Sequence, residues 1–455
     1  MTTQNNKNIN LHFKNMATAF NRYLIPVVIF VLLFGKSAAA QERTITLDEA
    51  IKLGVENSNV VRLSKARVDE AVSRYEQAKD HVMPTGTASF GYNRAEIPAN
   101  RLQFGKSSFS LPKSADAYLG IASLSETIFD ANRLKYAEES TELLTRVARL
   151  DVDNSRDQVA YDIISAYYNL YKVLQSKKVV EQNLATLDQQ IKQAQRFFDQ
   201  GIVTKNDVLR FQLQRANVEL NGIDLETNRK IVNFNLDVLL GLPDNTQLAV
   251  TEVNENDRQV GPLSAYIDTA LTDRVELRQL DLRSKVADVT INNIKANTKP
   301  TLAASAGLYY VDANINPLPQ SGSFITPITV GLTFGWNFSS LWTNKNKVTE
   351  AKIQRQEVDL NKAITINSVR KEVNQNYQNY MMALDKIKLL QTAIEQAGEN
   401  NKILESKYQN NIASATDRAD AQTLLYQAQI NLELAKADAG LAYYTLIKST
   451  GKLNK

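Results

Sequence analysis

Two aspartates, Asp417 and Asp420, are the residues of this sequence best placed to act together. They stand three positions apart in a segment of helical composition, so both carboxylates lie on one face. If three copies of the chain surrounded an axis, six carboxylates would ring it, raise some of their pKa values and attract cations. Alternatively, an Asp in a first helical turn stabilises the helix dipole and needs no further role. Acid–base chemistry is the weaker interpretation, because neither aspartate has a nucleophile or metal partner nearby.

Few other reactive side chains are present, and this disfavours enzyme and metal chemistry. The chain has no Cys and two His, of which only His81 lies beyond the first forty residues. Disulfides, thiolate ligands and cysteine nucleophiles are therefore excluded, and a catalytic triad or multi-histidine site is strongly disfavoured. Neither common Gly-rich phosphate-binding loop occurs. We expect a protein that is not an enzyme, with no catalytic residue, no metal site and no cofactor.

The net charge of +4 belongs to the first forty residues. These hold four of the 53 basic residues and no acidic one, which leaves 49 basic against 49 acidic residues. A basic stretch to Arg22, an apolar core from Leu24 to Phe34 and three alanines before Gln41 are typical of a secretory signal. We predict that residues 1–40 are a cleaved signal peptide. The neutral remainder argues against nucleic acid as a partner.

The remaining sequence repeats itself in two halves. Sliding it along itself without a gap matches Leu47 with Leu263, Pro84 with Pro300, and Gly91 with Gly307. Such self-similarity is the signature of a duplicated structural unit. We predict a first repeat at 41–245, a Pro- and acid-containing connector at 246–262, and a second repeat at 263–455.

Each repeat is predicted to contain a helix ended by a proline, two strands, a very long helix and a last helix. The first long helix has no Gly or Pro from Ala131 to Gln200, and its apolar residues recur at steps of four and three, as in a coiled coil. At ~1.5 Å per residue it is roughly 100 Å long. The predicted helices are 47–82, 131–199 and 205–240, then 263–298, 344–409 and 415–450; the predicted strands are about 85–97, 115–129, 301–312 and 326–339.

The predicted strands match the roughly 9 to 11 residues that a tilted strand needs to cross a membrane. In the clearest one, apolar side chains alternate with small or hydroxylated ones from Ile328 to Phe338. The alternative is a soluble sheet half-buried against the helices. Four strands cannot close a barrel and a bilayer forbids open edges, so the membrane interpretation requires several chains to share one barrel.

Two short breaks lie at the far ends of the long helices. They consist of Gly201, Ile202, Val203 and Thr204 in the first half, and of Asn411, Ile412, Ala413 and Ser414 in the second. Gly and Asn suit a left-handed backbone, and Thr204 with Asp207, or Ser414 with Asp417, matches a capping box with Asp in place of Glu. A plain hairpin tip is the simplest interpretation. Because a tip does not need apolar side chains for its own stability, we also predict a docking role.

These segments, taken in order, resemble the TolC-like outer-membrane efflux proteins. The similar stretches are Leu47 to Ala50 with Asn57, Pro84 before the first strand, Thr127 to Asp130 after the second, the tip from Phe198 to Val203, and Leu239 to Pro243. Each is weak evidence alone. Their order together with the duplication is specific, and it covers nearly the whole chain after residue 40.

The resemblance implies a mixed α/β membrane protein made of two tandem structural repeats. Three chains would each give four strands to one twelve-stranded outer-membrane β-barrel, continued by a long periplasmic α-helical coiled-coil barrel. Such proteins are passive exit ducts of double-membraned bacteria, joined by a periplasmic adaptor to an inner-membrane pump or ABC transporter. Outer-membrane lipid would surround the barrel, the sole anchor in a chain that has no Cys to lipidate.

The resemblance also implies roles for individual residues. The segment from Thr416 to Ala421 is similar to the family's tunnel entrance, so Asp417 and Asp420 would form a constricting, cation-sensitive ring. Tyr408 matches the gate tyrosine. Ala413 stands where the best-known member carries an arginine that locks the closed gate, so a different contact must hold this entrance closed.

Two other classes compete with a transport duct. A structural or adhesive coiled-coil protein of the envelope has no need for duplicated strand pairs or for the apolar alternation from Ile328 to Phe338. A periplasmic enzyme is disfavoured by the missing Cys and the nearly missing His. The exported substrate, whether drug, metal ion or unfolded protein, stays open at this point.

Overall fold

The computed structural model of the protein describes residues 43–96, 98, 101–110, 113–251, 260–316 and 325–453. The predicted signal peptide, 1–40, lies outside these residues, as do parts of the connector and of the loops between paired strands. Eight strands and eight helices occur within the described residues.

The elements follow the same order in both halves, apart from one additional hairpin in the first. The first half contains β1 (Arg43–Ile45), α1 (Leu47–Asn57), α2 (Asn59–Asp80), β2 (Thr85–Glu96), β3 (Arg101–Phe104), β4 (Ser107–Ser110), β5 (Ser114–Phe129), α3 (Arg133–Asp199) and α4 (Lys205–Leu240). The second contains β6 (Leu248–Val250), α5 (Leu263–Asp273), α6 (Val275–Ala296), β7 (Thr301–Asn316), β8 (Ile328–Gly335), α7 (Ser340–Gln409) and α8 (Ala415–Ser449).

The first helix expected in each half is broken into two. At Ser58 the backbone turns extended (φ −64°, ψ 122°), and its hydroxyl accepts a hydrogen bond from the Val61 amide at 3.4 Å, which caps α2. Arg274 makes the equivalent break between α5 and α6 (φ −60°, ψ 124°). Neither position is Gly or Pro, so composition alone indicated continuous helices.

The four long strands form one antiparallel sheet in the order β2-β5-β7-β8. Its register puts large apolar side chains on one face, including Phe90, Tyr92, Leu124, Leu308, Ile328, Val330, Leu332 and Phe334. The other face carries small and hydroxylated residues, including Thr87, Ser89, Ser123, Ser305, Thr329, Gly331 and Thr333. The alternation predicted for the last strand is confirmed from Ile328 to Phe334, although β8 ends at Gly335.

A short hairpin, β3 with β4, occupies part of the segment that the sequence indicated to be a plain loop. The two strands pair antiparallel with Arg101 opposite Ser110 and Phe104 opposite Ser107. Gly105 adopts a left-handed backbone (φ 64°), which a two-residue turn between twisted strands requires. The strands have four residues each, too few for periodicity to reveal them.

The long helices dominate the architecture. At ~1.5 Å per residue, the 67 residues of α3 and the 70 of α7 each reach roughly 100 Å. α4 packs against α3 and α8 against α7, while α3 also contacts α8 and brings the two halves together. The largest buried cluster surrounds Tyr167, whose hydroxyl lies 3.1 Å from the Ile45 carbonyl oxygen, beside the parallel pair β1 and β6.

Among the described helices, none combines the length and the apolar composition that crossing a membrane demands.

Candidate functional site

The turn between α3 and α4 is a tightly capped hairpin tip. Gly201 is left-handed (φ 73°), and the Ile202 amide donates to the Phe197 carbonyl at 2.8 Å, which closes the end of α3. The Thr204 amide donates to Asp207 Oδ2 at 2.8 Å and begins α4. The predicted left-handed glycine and the capping box are both confirmed.

The turn between α7 and α8 has the same construction. Asn411 takes the left-handed position (φ 60°), and the Ile412 amide donates to the Lys407 carbonyl at 2.8 Å. The Asp417 amide donates to Ser414 Oγ at 3.1 Å, and the Ser414 amide donates to Asp417 Oδ2 at 3.1 Å. This capping box, too, is confirmed.

Most of the predicted tip residues point into solvent. Ile412 is 75% exposed and Ile202 is 45% exposed, which is unusual for isoleucine side chains in a well-formed turn. Val203 and Ala413 are half-buried, and Ala413 packs against the aromatic cluster behind the tip. The remaining predicted tip residues are exposed; they are Gly201, Thr204, Asn411 and Ser414.

Asp417 and Asp420 are both exposed in the first turns of α8. The Ser414 hydroxyl donates to Asp417 Oδ2 at 2.8 Å. This bond, with a smaller contribution from the Ser414 amide, lowers the pKa of Asp417 from its ordinary value. Asp417 therefore has the capping role that the sequence offered as one alternative, and its carboxylate remains ionised at the same time.

Tyr408 lies behind the tips, in a cluster built by four helices. It is 4% exposed and sits between the rings of Phe197 and Phe211, each with its centroid 5.9 Å away. Its hydroxyl has no hydrogen-bond partner among the described residues. Burial raises the pKa of Tyr408, and the negative charge of Asp207 adds to this effect. The structure thus joins Tyr408 on α7 to the α3–α4 hairpin through aromatic packing.

Arg418, which the sequence analysis did not single out, is the buried charge of this region. It is 3% exposed, and its guanidinium contacts the Asn401 side chain and lies 3.4 Å from a Glu405 carboxylate oxygen, both on α7. Burial lowers its pKa from the ordinary value. One signal was present: Arg418 follows Ala415 by three positions and precedes Gln422 by four, which is the spacing of one helix face.

The family model described as outer membrane efflux protein matches residues 50–242 and 266–452. These two matches cover most of the chain. The chain belongs to the outer membrane efflux protein family. Each half of this efflux protein carries one of the two matches.

Known proteins similar to this efflux protein span nearly its whole length. The outer membrane efflux protein BepC of Brucella suis biovar 1 (strain 1330) is 22% identical over 429 residues, which cover 93% of this chain and 88% of BepC. The outer membrane protein TolC of Escherichia coli (strain K12) is 21% identical over 445 residues, covering 95% and 87%. The solved structure of VceC from Vibrio cholerae has a similar fold, with a TM-score of 0.72 and 17% identity over 89% of this chain and 96% of that one.

These comparisons place the efflux protein in the outer membrane and in a transport family. The competing interpretation, a structural or adhesive coiled-coil protein without a conduit, finds no support in them. The structure brings Tyr408, Asp417 and both tips to one end of the long helices, and it adds the buried Arg418 to that set.

Proposed function

We propose that three copies of this efflux protein close one twelve-stranded barrel and continue below it as an α-helical tunnel through the periplasm. The assembly would be a passive duct, opened and energised by a periplasmic adaptor and an inner-membrane efflux pump or ABC transporter. The observation that carries this proposal is the four-stranded sheet, whose apolar face and two edges are left open by the single chain.

The sheet is unsuited to water as a single chain. On its apolar face, Phe90 is 71% exposed, Val330 83% and Phe334 67%. Within the described residues, β2 and β8 have no further strand neighbour. Since every backbone polar group must be paired inside a bilayer, the two edges need partners, and a three-fold arrangement supplies them by placing β8 of one copy beside β2 of the next.

The opposite face of the sheet suits a water-filled interior. Thr87 Oγ1 and Ser123 Oγ are 2.9 Å apart and hydrogen-bond across β2 and β5. Thr329 and Thr333 continue this hydroxylated face on β8. Apolar side chains toward lipid and polar side chains toward the lumen form the alternation of a membrane-spanning barrel.

The helices also present surface for neighbouring copies. A stripe of exposed apolar side chains runs along α4 with spacings close to three and four; it comprises Leu209, Leu213, Leu220, Ile223, Ile231, Phe234 and Val238. Ile353, Leu360 and Ile364 form a similar stripe on α7. Long unpartnered stripes of this kind are typical of helices that pack against other helices in an assembly.

The entrance would lie at the tips, with Asp417 and Asp420 as its carboxylate ring and Tyr408 as a gate residue. Both aspartates are exposed, and the hydrogen bonds from Ser414 engage Oδ2 of Asp417, so the capping role leaves the charge in place. Three copies of the pair around an axis would attract cations to the constriction.

The tips would dock the adaptor through Ile202, Val203 and Ile412. A photo-crosslinking amino acid at Val203 or Ile412 should capture a periplasmic adaptor in intact cells. The matched control is Phe104, which is 68% exposed in the β3–β4 hairpin and should capture none. If neither tip position captures an adaptor while the protein reaches the outer membrane, the docking role is wrong. Native mass spectrometry should show three chains, and a monomer would contradict the shared barrel.

A further inference from the structure

A layer of amide side chains joins the two helical hairpins just above the tips. Gln422 on α8 donates from Nε2 to Asn183 Oδ1 on α3 at 2.7 Å. The two residues are 4% and 3% exposed. Gln214 on α4 donates from Nε2 to Thr423 Oγ1 at 2.8 Å. These hydrogen bonds tie α8 directly to both helices of the other hairpin, and we call Asn183, Gln214 and Gln422 the amide layer.

The amide layer keeps unused hydrogen-bonding capacity. Asn183 Nδ2, Gln214 Oε1 and Gln422 Oε1 are buried and find no protein partner among the described residues. Each amide has both a donor and an acceptor group, so the layer offers one spare donor and two spare acceptors. Spare groups of both kinds allow the amides to exchange partners without leaving every group unpaired.

The surroundings give the layer room on one side and apolar packing above and below. A cavity of about 660 Å³ adjoins it, lined by Asn183, Gln214, Asn217, Asn221, Thr423 and Gln427 among others. Along α3, the layer lies between an apolar cluster that contains Val180 and Leu187 and the aromatic cluster that contains Ala194. Apolar contacts are non-directional, whereas amide pairs fix the position of one helix against another.

We propose that the amide layer holds the entrance closed by fixing the α7–α8 hairpin on the α3–α4 hairpin, and that its hydrogen bonds change partners when the entrance opens. This inference rests on the proposed function, since it presumes a gated duct. It supplies a closing contact in a chain in which Ala413 occupies the position of the family's locking arginine. The amide layer acts on the entrance by positioning α8, which carries Asp417 and Asp420.

A double-mutant cycle on Asn183 and Gln422 tests the proposal. Either Asn183→Leu or Gln422→Leu leaves the remaining buried amide unpaired in the closed state, so each should shift the closed–open equilibrium about tenfold toward open. The double variant replaces the pair with apolar contact and should close the entrance again, to the wild-type level or beyond. Open probability is measured by single-channel recording, and folding by thermal unfolding of the purified protein.

The matched control is Asn344→Leu, because Asn344 is also 4% exposed and donates to the Ile294 carbonyl at the opposite end of α7. It should lower the unfolding temperature without changing the open probability. The proposal is overturned if Asn183→Leu and Gln422→Leu behave like this control. The absence of any conductance, in wild type and variants alike, would instead overturn the duct itself.

Discussion

Asp237, near the end of α4, should make the junction between the long helices and β6 sensitive to pH. Its side chain is fully buried, and its Oδ2 accepts a hydrogen bond from Asn233 Nδ2 at 2.8 Å. Oδ1 has no protein partner among the described residues. Burial, reinforced by the negative charge of Asp244, raises the pKa of Asp237 from 3.8 to about 6.

The raised pKa sets the direction and the size of the effect. The folded state binds the Asp237 proton more tightly than the unfolded state, so the associated stability is complete below the unfolded pKa and is lost as pH rises through the folded one. A shift of about two units corresponds to roughly 3 kcal/mol in full. Between pH 5 and pH 8, somewhat less than half of this is lost, which is about a tenfold change in an opening equilibrium.

Hydrogen exchange at the Leu248 amide measures this local opening, because that amide donates to Asn233 Oδ1 at 2.9 Å. After correction for intrinsic exchange, protection of Leu248 should fall about tenfold from pH 5 to pH 8 in the wild type. Asp237→Asn, which cannot ionise, should abolish this dependence and raise protection at pH 8. Asp244→Asn should reduce the dependence in part. An identical pH dependence in the wild type and Asp237→Asn would refute the reasoning.

Three further predictions concern the entrance and the fold. Asp417→Ala and Asp420→Ala should weaken the block of single-channel currents by divalent cations, and Asp417→Ala should also cost about 1 kcal/mol through loss of the α8 cap. Arg418→Ala removes a buried guanidinium that holds α8 to α7, and it should lower the free energy of unfolding by roughly 2 kcal/mol, as measured by denaturant titration. Gly241→Ala should destabilise by about 1 to 2 kcal/mol, because the backbone is left-handed there (φ 69°) and a Cβ would lie 3.1 Å from the Asn57 Cβ; thermal unfolding reports this change.

Each of these predictions has a matched control or a contradicting outcome. Unchanged divalent block in both aspartate variants would remove the carboxylate ring. Lys388→Ala, which breaks the exposed pair with Asp385, should change stability by less than about 1 kcal/mol, and Arg418→Ala must exceed it. For Gly241, replacement with Asn should be tolerated better than Ala, since Asn adopts the left-handed region more readily.

Features with a strong local signal could be predicted from the sequence. The alternation from Ile328 to Phe334 was legible because the side-chain period of a strand is two. The tips were legible because a left-handed residue at a helix end favours Gly or Asn, and Gly201 and Asn411 occupy those positions. The long helices followed from the absence of Gly and Pro over many turns.

Features that depend on tertiary contacts were not visible in the sequence. The break at Ser58 requires no helix-breaking residue, because the chain is redirected by packing of α1 and α2 against α3. Arg418 looked like one charge in a solvated run, yet α7 buries it and supplies its partners. The pairing of Asn183 with Gln422 joins residues that lie 239 positions apart, and no local pattern reports such a contact.

The central claim, that three chains form a conduit, is tested most directly by conductance. The purified protein is inserted into a planar lipid bilayer and single-channel currents are recorded. The account predicts discrete conductance steps of uniform size, from particles that contain three chains. Insertion of folded trimers into the bilayer without any conductance, even when Asn183→Leu or Gln422→Leu is introduced to weaken closure, would contradict it.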